Sequence, residues 1–140
     1  MLLIAGLVLT AFLFGLSCFV LWVHYPGYKL IGYSDFKLYE ARHTQSTVAI
    51  TLPTMLAEMS LAIAGFLYLE LPVVVQILGL LPLVGVWYFT FVKAIPLHAR
   101  LMEEGKDIET IDRLIKVHAY RTLCWGFRLA AAGYFTLMGF

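Results

Sequence analysis

From Leu2 to Val23 the chain carries no charged residue, and only Thr10 and Ser17 interrupt its apolar character. As a helix rising ~1.5 Å per residue, that stretch is about 33 Å long, enough to cross the hydrocarbon core of a bilayer. Three further apolar runs follow: Val48 to Tyr68, Leu71 to Val92 and Leu123 to Phe140. A soluble 140-residue chain cannot hide this much apolar surface. Hydrophobic residues make up 61% and charged residues 14%, against roughly 45–50% and about 25% in ordinary soluble domains. With a mean hydropathy of +0.85, lipid has to cover the excess, and the same numbers exclude disorder.

These runs predict an all-α integral membrane bundle of four transmembrane helices in one domain, residues 1–140, with helices at about 2–23, 48–68, 71–104 and 108–140. The first run reads as a retained helix, since no Lys or Arg precedes it and it is too long for the apolar core of a signal peptide. Only Leu69 and Glu70 separate the second and third runs, which predicts a tight hairpin, with Pro72 in the first turn of the third helix. Pro53 and Pro82 fall inside helices and are expected to kink them.

Charge placement sets the expected orientation. Lys29, Lys37 and Arg42 follow the first run, and Lys93, Arg100, Lys106, Arg113, Lys116 and Arg121 lie between the third and fourth; the tenth cation, Arg128, is inside the fourth. The other side has none, so both long connections are expected in the cytoplasm and both termini outside. The second connection looks helical. Gly105 offers a stop, Asp107 an N-cap, and Ile108, Ile111, Ile115, His118 and Thr122 recur at helical spacing. Helices 3 and 4 are thus expected to continue as a cytoplasmic hairpin, with Glu109–Arg113 and Asp112–Lys116 pairs on another face. The first connection, with Tyr25, Tyr28, Tyr33, Phe36 and Tyr39, reads as re-entrant or interfacial.

A net charge of +1 leaves no basic face for nucleic acid. Cys18 and Cys124 both lie in apolar runs, which argues against a disulfide framework or a cysteine zinc site. No Gly-rich phosphate loop or Ser-His-Asp set is present.

Polar residues inside membrane runs are costly and therefore informative. Glu58 and Arg128 are expected at similar depth, ~15 Å in from Val48 and ~12 Å in from Tyr120, where helix 4 is expected to enter the membrane. An ion pair would relieve both. Each belongs to a polar stripe: His43, Thr47, Thr51, Thr54 and Glu58 on helix 2, and His118, Arg121 or Thr122, Trp125 and Arg128 on helix 4. Two such stripes avoid lipid by facing each other. Glu58, Arg128, Trp125, Thr54, Thr51 and Arg121 are the candidate ligand-binding residues.

Each helix also contributes one histidine near the cytoplasmic boundary: His24, His43, His98 and His118. Neutral imidazole is the commonest metal ligand, and Glu40 to His43 reads Glu-x-x-His, as in carboxylate-bridged di-iron bundles. The second such motif of that family is missing, because neither His98 nor His118 has a Glu three residues before it. His43, His98, His118 and Glu40 stand as candidate ligands to a transition metal, a haem between two histidines is geometrically open, and purely interfacial or hydrogen-bonding roles stand beside both.

LPTMLAE at Leu52 to Glu58, and PLHARL, GKD and RLIKVHAYRTLCWGFR within Pro96 to Arg128, resemble small bacterial four-helix integral membrane proteins. The resemblance implies the four-helix fold and a bacterial inner membrane, and carries over no activity. Glu58, His98, His118, Arg121, Trp125 and Arg128 fall within the resembling blocks. The sequence therefore points to a polytopic inner-membrane protein with a polar site between helices 2 and 4, taking a small lipid-soluble ligand or a His-ligated cofactor. An accessory subunit packing against a larger membrane complex or a copy of itself, and a small transporter, are the alternatives.

Overall fold

In the computed structural model, which describes residues 1–69 and 72–138, every regular element is helical. The chain forms four rods: α1 (Leu2–Leu30), α2 (Phe36–Tyr68), α3 (Val73–Glu104) and α4 (Ile108–Leu137). The first three are long and apolar enough to cross a membrane.

α1 packs on α2 and α4, and α3 packs on the same two, so α2 and α4 stand diagonally opposite across the core. Contacts between consecutive rods step in opposite directions along the chain. Thr10 meets Glu58 while Tyr25 lies near His43, and Gly79 meets Arg128 while Gly85 meets Cys124. Neighbours are therefore antiparallel, and the diagonal pairs are parallel. The backbones of α2 and α4 are kept apart, and their polar stripes meet only through long side chains.

α2 begins at Phe36 rather than at Val48, where the apolar run begins. Lys37, Glu40, Arg42 and His43 end the apolar run without ending the helix, because hydropathy marks the lipid-facing part and not the hydrogen-bonded part. The first connection accordingly shrinks to residues 31–35. Its aromatic residues are not all interfacial: Tyr25, Tyr28 and Phe36 are buried in a core shared with Leu101, Ile111 and Leu114.

Two rods contain a wide π turn, Val20–His24 in α1 and Phe89–Ala94 in α3. Each lies just ahead of a proline, Pro26 or Pro96. A proline ring presses on the carbonyl four residues before it and offers no N–H. The wider turn accommodates that carbonyl, and such turns are frequent at functional sites. Pro53 and Pro82 lie inside helices as expected. Pro72 stands immediately before α3 rather than in its first turn. Of the hairpin expected at Leu69 and Glu70, Leu69 ends α2 in an extended conformation and Glu70 lies outside the described residues.

The Gly105 turn forms as the sequence predicts. Gly105 has a φ of +95°, a left-handed value that costs glycine little. Asp107 caps α4, accepting from the Thr110 amide at 3.1 Å and from its hydroxyl at 2.5 Å. Cations clasp this end of the molecule. Lys106 donates to the carbonyls of Lys29 and Ile31, and Lys37 to that of Glu103. Arg113 pairs with Glu109 as expected. Asp112 instead pairs with Lys29 at 2.5 Å, which lies across from it on the folded α1, whereas Lys116 shares only its helix.

Candidate functional site

Buried polar groups collect at two levels, separated by an apolar layer of Leu13, Met55, Leu83, Val86 and Trp125. At the level farther from Gly105, Glu58 on α2 and Arg128 on α4 form an ion pair across the diagonal. Thr10 on α1 donates to the same carboxylate oxygen at 3.2 Å, and Arg128 Nη1 donates to the Gly79 carbonyl on α3. That carbonyl lies one residue beyond the Leu78 carbonyl, the one left without an amide partner by Pro82. All four rods thus contribute to the pair. Glu58 is fully buried and Arg128 nearly so. A small 90 Å³ cavity adjoins them, lined by Thr10, Gln76, Arg128 and apolar side chains.

The level nearer Gly105 is built around Tyr25, where the π turn of α1 ends. All four histidines surround its ring. His118 meets it edge-on with centroids 5.0 Å apart, and His24, His43 and His98 lie within about 6 Å. His98 is held on both sides: its Nδ1 meets the buried Glu40 carboxylate, and its Nε2 lies 2.9 Å from the Tyr25 hydroxyl. A carboxylate accepts only, so Nδ1 carries the proton in this bond. His43 stacks on His24 at 4.2 Å and reaches the Thr47 hydroxyl at 3.1 Å. His118 Nε2 lies 3.0 Å from the Ser17 carbonyl, which can only accept, so Nε2 donates there; its Nδ1 is buried with no partner among the described residues.

Between α2 and α3 at this level is a 220 Å³ cavity. Its polar wall is Tyr25, His43, Thr47, Thr51, His98 and Arg121, and the remainder is mainly apolar. Arg121 reaches it from α4. Its Nη2 contacts the Met55 sulfur at 3.6 Å, a weak acceptor, and its Nε is buried with no partner among the described residues. No ion pair of the described residues includes it. Arg121 and Arg128, seven residues apart on α4, thus stand in opposite states.

Of the candidates read from the sequence, Glu58 and Arg128 come together, and Thr51, Arg121, His43 and His98 line the cavity. Thr54 bonds to its own helix at the Ile50 carbonyl and lies outside the cavity wall. Trp125 is fully buried in the layer between the levels rather than at a cavity wall. His118 packs beside the cavity, against Ser17 and Thr122. Glu40 stands behind His98. Among the described residues no group of three or more His, Cys, Asp or Glu side chains is arranged to hold a metal ion. Both nitrogens of His98 are engaged, so it ligates only by giving up a bond. Sequence reasoning missed the roles of Thr10, Ser17, Tyr25 and Gly79. The seven-residue spacing of Thr10 and Ser17 marks one polar face on α1 and was the available signal.

No protein-family model matches this chain, and neither a curated protein nor a solved structure does.

Proposed function

We propose that this chain is a polytopic inner-membrane protein whose cavity at the Tyr25 level binds a small lipid-soluble ligand with a hydrogen-bond-accepting head. The observation that carries this reading is Arg121. A buried donor without a partner costs about 1–3 kcal/mol. Arg128 avoids that cost through Glu58 and Gly79. Arg121 has no such relief, and it faces a cavity. A ligand head that accepts from its guanidinium supplies the missing partner, and His43, Thr47, Thr51 and the Tyr25–His98 pair offer further polar contacts on the same wall.

In this reading α4 is the fourth span, both termini lie outside and the Gly105 hairpin lies in the cytoplasm. The clasp of Lys29, Lys37 and Lys106 around that hairpin supports the orientation. Cysteines placed near Gly105 are expected to resist impermeant thiol reagents in intact cells; labelling there from outside overturns the orientation.

The site is tested by extracting protein purified from membranes in mild detergent and identifying what co-purifies by mass spectrometry. A lipid-soluble molecule present with the natural chain and absent from Arg121→Met is expected. A natural chain that carries nothing above what Arg121→Met carries overturns the proposal.

A further inference from the structure

The cavity does not end blindly at Arg121. A second, almost wholly apolar groove of 420 Å³ lies farther along the same α2–α3 seam, lined among others by Met59 and Ile63 of α2 and by Leu80, Val84, Trp87 and Phe91 of α3. The two share Phe91. They follow one another in order along both antiparallel rods: His43 to Met55 and then Met59 to Ile63 on α2, Met102 to Thr90 and then Val92 to Leu80 on α3. Arg121 lines the polar cavity and touches Met55, which lies one turn of α2 from Met59 of the groove. From Met55 to Ile63 α2 rises ~12 Å, all of it apolar on the groove side. Val84 and Phe91 are substantially exposed on this seam, so the groove opens sideways to lipid.

Resting on the binding reading above, we infer that the ligand is a single-chain amphiphile with a carboxylate head, of the long-chain fatty acid class. Its carboxylate sits on Arg121 and its chain lies in the α2–α3 groove. The head follows from the guanidinium. Among the described residues Nε is buried with no partner and Nη2 has only a thioether, so the guanidinium has donors to spare where it lines the cavity. A carboxylate is the acceptor that matches such a fork in both charge and shape, once the side chain turns its free donors to it. The charge is matched as well, because no carboxylate of the described residues pairs with Arg121. The tail follows from the groove, which begins one turn of α2 beyond Met55 and whose wall is almost entirely apolar.

The test uses the full chain in detergent with palmitate, methyl palmitate and octanoate as probes, with a chain-brominated palmitate and its methyl ester as quenchers of tryptophan fluorescence. Palmitate is expected to bind saturably and at least about tenfold more tightly than its methyl ester, the factor given by one charge-assisted hydrogen-bonded contact. Arg121→Gln should remove that preference. Brominated palmitate should quench the natural chain more than its ester does, and Trp87→Phe should remove most of the difference. Val84→Trp, on the lipid-facing rim, should weaken palmitate and spare octanoate.

Equal binding and equal quenching by acid and ester mean annular lipid only and overturn the carboxylate head. Palmitate binding that depends on Arg121 but ignores Val84→Trp and Trp87→Phe overturns the placement of the tail, while the Arg121 site stands. No Arg121-dependent binding of any probe overturns this inference. The binding site itself then falls only if extraction also yields no co-purified molecule.

Discussion

Two arginines on one helix meet opposite fates. Arg128 is enclosed by a carboxylate, a threonine-bridged network and a backbone carbonyl drawn from all four rods. Arg121, two helical turns closer to the Gly105 end, has a thioether and an open cavity. Burial is similar in kind, so the difference is one of completion. A closed network locks one arrangement of helices and leaves nothing to bind. An incomplete one carries a standing energetic cost, and that cost is what marks a site.

The comparison breaks most readily at the closed level. Glu58→Gln should lower stability by ~3–5 kcal/mol, because Arg128 then keeps its charge in a dry interior without its counter-charge. Glu58→Gln combined with Arg128→Met should recover much of the loss. Denaturant or thermal unfolding in detergent measures both, and a single variant as stable as the natural chain contradicts the closed network.

At the open level the sign should reverse. Arg121→Met removes an unpartnered donor and is expected to raise the stability of the ligand-free protein by about 1–3 kcal/mol while abolishing ligand retention. A destabilised Arg121→Met would place this arginine with Arg128 as structural glue. Tyr25→Phe deletes one hydrogen bond to His98 and keeps the ring on which four imidazoles pack. It should cost about 0.5–1.5 kcal/mol and weaken ligand binding more than folding. A loss confined to folding, with binding untouched, would remove Tyr25 from the site.

The smallest effect is expected where neither level is touched. Asp107→Ala should fray the start of α4 and leave the ion pair and the cavity as they are. Hydrogen bonds from the Thr110 hydroxyl and amide hold the Asp107 carboxyl below the usual carboxylate range. Its contribution is therefore complete above the ordinary carboxylate pKa of ~3.9 and is lost as pH falls through the lowered value. Amide exchange at Thr110 and Ile111 followed from neutral to acid pH measures it. Exchange that ignores both the substitution and the acid limb would contradict the cap.

Much of this was legible in the sequence, for reasons that differ by residue. Apolar runs give spans because lipid demands them. Equal depth of Glu58 and Arg128 follows from counting residues along two helices that start at one face. Gly105 and Asp107 mark a turn by local chemistry alone. Tyr25 was hidden because aromatic residues serve interfaces and cores equally, and only the early start of α2 at Phe36 turns its segment into core. The lack of a partner for Arg121 was not legible at all. A missing contact is a property of three dimensions, and its polar stripe looked the same as that of Arg128.

The wide turn before Pro26 does more than make room for a proline. Buried positions on α1 run Thr10, Leu13, Ser17 and Val20, and an unbroken α-helix would next bring His24 and Gly27 inward. The inward residues are instead Tyr25 and Tyr28, a slip of one position, or about 100° of rotation at 3.6 residues per turn. The turn is a phase shifter. It lets a single rod present the Thr10 hydroxyl to the closed network and large phenols to the histidines, two inward faces that regular winding could not aim along one line. Removing one residue between Val20 and His24 would leave an apolar rod of almost unchanged length and rotate both tyrosines away from the histidines they organise.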